Sequence, residues 1–244
     1  MNIHVAKNAK ELGGRAAAQI ASLLRETIKE KGTARLLLST GASQFETISS
    51  LVKEDVDWSK VQMFHLDEYV DLSEKHKASF RKYLKERFTS KVNLKAAWFV
   101  NGEGDVNKNI ITLTKELAKA PIDIGVIGIG ENGHIAFNDP PADFKTKKTY
   151  MIVTLDKKCK QQQVREGWFK TVADVPPNAI TMTPYAILKC RHIISSVPHG
   201  VKAQAIFNTL TCKPSPTVPA GILKTHPDWN LYLDRESAAK VFPL

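Results

Sequence analysis

Apolar residues over 9–31 recur at Leu12, Ala16, Ile20, Leu23 and Ile28, close to helical spacing, and Gly32 follows as a stop. The spacing predicts a long amphipathic helix. Residues 35–39 (Arg-Leu-Leu-Leu-Ser) predict a short buried strand. Ser43-Gln-Phe-Glu46 has the spacing of a capping box ahead of a helix carrying Phe45, Ile48 and Leu51. A second strand is expected over 61–65, ending at Leu66-Asp-Glu-Tyr69. A mixed-charge helix is expected over 77–88, with Phe80, Tyr83, Leu84 and Phe88 on its apolar side.

The alternation continues. Strands are predicted over 97–100, 123–129, 150–155, 179–183, 192–197 and 230–233, and helices over 107–120, 160–170 and 200–210. The 123–129 strand is apolar at nearly every position, as expected when both faces of a sheet are covered. Strand and helix alternating along the chain predict an α/β fold: an open, mostly parallel, doubly wound sheet with helices on both faces. No Pro/Ser-rich linker or fixed-period repeat interrupts the 244 residues, so a single domain over 1–244 is expected.

Composition changes this picture little. The chain is 43% hydrophobic and 25% charged, which excludes collagen-like, mucin-like and largely disordered classes. Its net charge of +10 favours an anionic partner without saying which. No helix-turn-helix, RNP pattern or concentrated basic arm points to nucleic acid. The most apolar strip, residues 122–130, contains Asp123 and is far too short to span a bilayer, so no membrane partner is expected. Cys159, Cys190 and Cys212 are odd in number and lack CxxC spacing, and the N-terminus lacks a signal-peptide core; both lead to the expectation of a cytoplasmic protein. His199 and His226 have no metal-ligand spacing, and the four tryptophans are scattered as core residues are.

In an open α/β sheet, chemistry gathers at the carboxyl ends of strands. Three such ends stand out. Thr40-Gly41-Ala42-Ser43 is a glycine-bearing turn before a helix, suited to an anion or simply an ordinary turn with Ser43 as N-cap. Asp67 and Glu68 are adjacent carboxylates: either a base toward a C–H acid, or a helix cap beside a solvated acid. Gly128-Ile-Gly130-Glu-Asn132-Gly-His134-Ile-Ala-Phe-Asn-Asp139 sets a histidine among glycines, an amide and a carboxylate, suited to proton transfer near neutral pH or to a structural role.

Together these segments resemble the glucosamine-6-phosphate deaminase (isomerase) family, which shares its fold with 6-phosphogluconolactonases. The family patterns TGGTP, FxxDEY and GxGxDGHIAFNEP are matched by Thr40-Gly-Ala-Ser-Gln44, Phe64-His-Leu-Asp-Glu-Tyr69 and Gly128 to Pro140. Val175-Pro-Pro-Asn-Ala-Ile-Thr181 is similar to VPxxALT, and Gly200-Val-Lys-Ala203 to GxxKA with the glycine one residue closer. His134-Ile-Ala-Phe-Asn follows the deaminase form, where lactonases usually read HTASLF. The resemblance implies conversion of glucosamine 6-phosphate and water to fructose 6-phosphate and ammonia, with neither metal nor organic cofactor. It implies Asp67 as the base between C2 and C1 and His134 as the acid–base group in ring opening. Lys202 would hold the phosphate with Thr40, Gly41, Ala42 and Ser43. Glu68, Gly128 and Gly130 are expected at the substrate as well. The partner is then a small phosphorylated amino sugar; members of the family include monomers and hexamers, so a homo-oligomer stays open.

Three departures stand out. Asn132 replaces the acid two residues before the histidine and Asp139 replaces a longer glutamate, both expected to serve catalysis beside His134. The usual phosphate arginine aligns with Glu166, leaving Arg165, one residue off, as the second candidate after Lys202 to bind the phosphate. The run Cys159-Lys-Gln-Gln-Gln-Val-Arg165 also reads as a solvated helix face. A lactonase and a sugar-phosphate-binding protein that has lost the chemistry are the alternatives.

Overall fold

A computed structural model describes residues 1–242. In chain order the elements are β1 (Asn2–Ala6), α1 (Ala9–Lys31), β2 (Ala34–Leu38), α2 (Phe45–Leu51), β3 (Val61–His65), β4 (Asp67–Tyr69), α3 (Phe80–Leu84), β5 (Ala96–Trp98) and α4 (Val106–Ala118). They continue with β6 (Ile124–Val126), β7 (Tyr150–Thr154), α5 (Lys157–Arg165), β8 (Asn178–Met182), α6 (Pro184–Ile187), β9 (His192–Val197), α7 (Ala203–Thr211), β10 (Trp229–Asp234) and α8 (Arg235–Ala238).

Seven strands form one parallel sheet in the order β1-β10-β9-β6-β2-β3-β5. Its two faces bury different residues, because successive side chains of a strand point to opposite sides. Leu36 and Leu38 of β2 pack with Ile20 and Leu24 of α1 and Ile48 and Leu51 of α2, while Leu37 joins Phe64, Ile193 and Leu231 on the other face. The expected doubly wound α/β sheet is therefore present, and β1, unforeseen in the sequence, closes one edge through its pairing with β10.

The strands over 150–155 and 179–183 belong elsewhere. β4, β8 and β7 form a second, antiparallel sheet in that order. Leu66 joins the two: its N–H donates to Leu38 of the main sheet (3.2 Å) and its carbonyl accepts from Met182 of the small one (3.0 Å). The chain thus leaves the main sheet one residue before Asp67, and pairing with Thr181 holds Asp67 on the small sheet.

Local chemistry also departs from expectation before α2. No capping box forms there: a tight turn over Ala42–Gln44 with Gly41 as its N-cap leads into the helix, and no side-chain cap bond closes it. Gly41 has φ 96° and nothing within 4 Å of an added methyl group, so conformational freedom, not space, requires glycine there. Tyr83 donates its hydroxyl proton to the Gly41 carbonyl (3.0 Å) and pins the turn.

Candidate active site

The parallel sheet changes winding direction at β2, which pairs with β6 on one side and β3 on the other. Crevices form at such points, outside the carboxyl ends of the strands. Here the cleft is open to solvent, about 580 Å³, and lined from the ends of β2, β3, β6 and β9 together with α5.

From β2 come Ser39, Thr40, Gly41, Ala42 and Ser43. The first turn of a helix has N–H groups without intrahelical partners, which favours an anion at this end. Lys202, in the turn Gly200–Lys202 after β9, lines the same cleft. Its ammonium is largely buried and makes no ion pair among the described residues. Burial lowers its pKa, opposed by the charges of Glu166 and Glu131.

Asp67 lines the same cleft as His134. It is 5% exposed, and burial, followed by the neighbouring Glu68 carboxylate, pushes its pKa well above the usual carboxylate range. Glu68 points the other way, as strand alternation requires. It accepts from the backbone N–H groups of Tyr69, Phe80 and Arg81, from the Ser79 hydroxyl and from the Arg81 guanidinium. It is wholly buried, caps the start of α3 and does not line the cleft. Glu68 thus takes the helix-capping part, and Asp67 is buried on the cleft wall instead of facing water.

His134 lines the cleft beside Gly130. A methyl group at Gly130 would sit 2.2–2.4 Å from the imidazole ring atoms, so glycine alone allows the backbone to pass under the ring. Behind the ring, Asn132 Oδ1 accepts from the His134 backbone N–H (3.1 Å), and Asn132 Nδ2 donates to Asp139 Oδ1 (3.1 Å). A backbone N–H only donates and a carboxylate only accepts, so the amide orientation is fixed. His134 Nδ1 lies 2.7 Å from Asn132 Oδ1 and 3.2 Å from Asp139 Oδ1, both acceptors. Nδ1 therefore carries a proton, and Nε2 is the nitrogen left for chemistry. Burial works to raise the Asp139 pKa, yet the bonds from His134 and Asn132 bring it below the usual carboxylate range. Asn138 anchors this loop to β8 by donating to the carbonyls of Ile135 and Met182 (2.8 Å each).

Arg165 stands apart. More than half exposed, it pairs with Glu131 and is absent from the cleft lining. Its neighbours on α5 do enter: Gln162, Gln163 and Glu166 line the cleft, and Cys159, Gln162 and Gln163 are buried. The polar run is thus not a solvated face. Positions 159, 162, 163 and 166 follow the i, i+3, i+4, i+7 rule for one helix face, a signal present in the sequence but masked by the polarity of glutamine. Gln163 Oε1 accepts from the Tyr69 hydroxyl (2.8 Å), and Gln162 Nε2 donates to Glu166 (2.7 Å). Phe80 and Phe137 supply apolar walls. His65 is a packed histidine: it is fully buried, its Nδ1 accepts from Val100 N–H (3.3 Å), and burial lowers its pKa to about 3.

A buried carboxylate with a raised pKa, a histidine held through Nδ1, a buried ammonium and a helix start on the wall of one cleft are the groups that an acid–base enzyme for a small anionic substrate needs. The comparisons specify which kind. The model of the glucosamine-6-phosphate isomerases/6-phosphogluconolactonase family matches residues 7–231, and the chain belongs to that family. It is 32% identical over 238 residues to the glucosamine-6-phosphate deaminase of Bacillus cereus (strain B4264), covering 97% of this chain and 88% of that protein. Among solved structures, a monomeric glucosamine-6-phosphate deaminase superposes with a TM-score of 0.88 at 30% identity, covering 98% of this chain and all of the other. The 6-phosphogluconolactonase of Trypanosoma brucei gives 0.80 at 14% identity over 99% of this chain and 98% of its own, a likeness of fold. Among the described residues, no helix is long and apolar enough to cross a membrane.

Proposed function

We propose that this protein is a glucosamine-6-phosphate deaminase, releasing ammonia and fructose 6-phosphate. The observation that carries the reading is the placement of Asp67 and His134 in the same cleft as Lys202 and the Thr40–Ser43 loop. With the phosphate held by Lys202 and the loop, the sugar carbons reach toward Asp67 and His134. Binding energy at the unreactive end then orients C1 and C2. His134 Nε2 takes and returns the proton that moves as the ring opens. Asp67, its pKa raised by burial, removes the C2 proton and delivers it to C1. Water then hydrolyses the imine and ammonia departs.

The test is incubation of the protein with glucosamine 6-phosphate and with galactosamine 6-phosphate, reading ammonia and ketose phosphate together. Ammonia from either supports a deaminase and tells the two sugars apart. Acid release from 6-phosphogluconolactone without ammonia from either amino sugar would replace this reading with lactonase activity. Tight hexosamine-phosphate binding without turnover would replace it with a sensor.

Two further outcomes are expected. Lys202→Gln should raise KM about ten- to a hundredfold with a smaller change in kcat, since a hydrogen bond to a charged group contributes about 1.5–3 kcal/mol. An unchanged KM would remove Lys202 from the phosphate site. Asp139→Ala should lower kcat far more than Asn132→Ala, because Asp139 supplies the charge facing His134 Nδ1 and Asn132 only an amide dipole. Steady-state kinetics of the two variants decide this, and equal losses would rule out that division.

A further inference from the structure

Gln44 stands where the family pattern TGGTP has proline, and its side chain is wholly buried beneath the Thr40–Ser43 loop. Its orientation is forced. Nε2 lies 3.1 Å from the backbone carbonyl of Ser196 on β9, a group that can only accept, so the amide nitrogen faces β9. The second proton of the same nitrogen goes to Ser43 Oγ, also at 3.1 Å. The end of β6 packs against this amide: a methyl group added at Gly128 would lie 3.3 Å from Gln44 Nε2 and 3.9 Å from Ser43 Oγ. Its two acceptors, the Ser196 carbonyl and Ser43 Oγ, thus set which way the amide faces.

A hydroxyl that accepts a hydrogen bond keeps its own proton to give. Among the described residues Ser43 Oγ only accepts, from Gln44, and gives its own proton to no protein acceptor, while Ser43 lines the cleft. Ser196 belongs to the strand that leads to Lys202, so one amide ties the hydroxyl and the ammonium to a common frame. We propose that Gln44 is a positioning residue that fixes Ser43 as a hydrogen-bond donor toward the anionic group of the substrate. This rests on the reading of the Thr40–Ser43 loop as the phosphate subsite.

The test is a double-mutant cycle of Gln44→Met and Ser43→Ala. The readouts are KM and kcat for the hexosamine phosphate, the Kd of inorganic phosphate, and thermal unfolding. Methionine keeps the length of glutamine and removes the donor. Gln44→Met should raise KM and the phosphate Kd about two- to tenfold, the range of a neutral hydrogen bond, with kcat nearly unchanged. Ser43→Ala should do the same, and the double variant should bind no worse than Ser43→Ala alone. A Gln44→Met effect that persists in full without the Ser43 hydroxyl would overturn the proposal. So would a lowered melting temperature with unaltered KM, which is the mark of a purely structural side chain. If Ser43→Ala leaves phosphate affinity unchanged, the loop reading itself fails, and the inference with it. Should Gln44→Met not fold, Gln44→Asn replaces it. Asparagine keeps an amide one methylene short of Ser43, and parent-like phosphate affinity in that variant would equally overturn the proposal.

Discussion

Asp67→Asn is expected to lower kcat by about 10²–10⁴-fold, the usual contribution of a positioned general base, while KM changes little. Asparagine fills the same volume but cannot accept the C2 proton. The loss should be accompanied by loss of exchange between the substrate's C2 hydrogen and deuterated solvent, which NMR detects directly. Burial sets the pH dependence. The carboxyl of Asp67 titrates well above the usual carboxylate range, so the protonated, inactive form persists to higher pH. Activity should therefore rise with pH along an acidic limb lying above the range of an exposed aspartate. The same shift predicts stability with opposite sign to activity. A carboxyl with its folded pKa above its unfolded one binds its proton more tightly when folded, so its ionisation destabilises the protein as pH rises past the unfolded value. The neutral asparagine side chain of the variant escapes that penalty, and the variant should melt at a temperature no lower than the parent at neutral pH. A variant with full turnover, or with a melting temperature far below the parent, would remove Asp67 from the role of buried base.

The second large effect is expected from His134→Gln, a kcat loss of about 10²-fold or more. Glutamine can hydrogen-bond but cannot shuttle a proton at Nε2. The distinguishing readout is an open-chain hexosaminitol phosphate. It has no ring to open, so its Kd should be nearly the same for parent and variant while turnover of the cyclic substrate collapses. A matching loss of affinity for the open-chain compound would mean that His134 binds rather than catalyses. The imidazole is held by Asn132 and Asp139 from behind and admitted by Gly130 from below. A glutamine at this position has no reason to disturb the rest of the loop, which Asn138 anchors to β8 independently.

Much of this was written in local pattern. The period of α1, the apolar β2 and β3, and the strand-end loops at 40–43, 67–68 and 128–139 are properties of neighbouring residues, and neighbours are what a sequence displays. Asp67, His134 and Lys202 could be named from spacing and resemblance because each sits at a strand end, where an α/β fold gathers its chemistry. The charge of +10 pointed to an anion but not to its size, and a single site for a small phosphate leaves most of those lysines on the surface.

The tertiary structure decided what depends on partners distant along the chain. Asp67 and Glu68 are adjacent and chemically alike. Pairing of β4 with β8 turns one into the cleft and the other onto the start of α3, and no local pattern reveals which. Arg165 against Gln162, Gln163 and Glu166 is a question of helix rotation: the face was legible as a period, but its direction follows from where α5 packs. Ser43 looked like a helix cap because its spacing to Glu46 fits one; the hydroxyl instead accepts from Gln44, which is held by a carbonyl 152 residues further on. Sequence sets which groups are available and how often they recur along the chain, whereas burial and hydrogen-bond direction arise only when strands far apart in the chain are brought together.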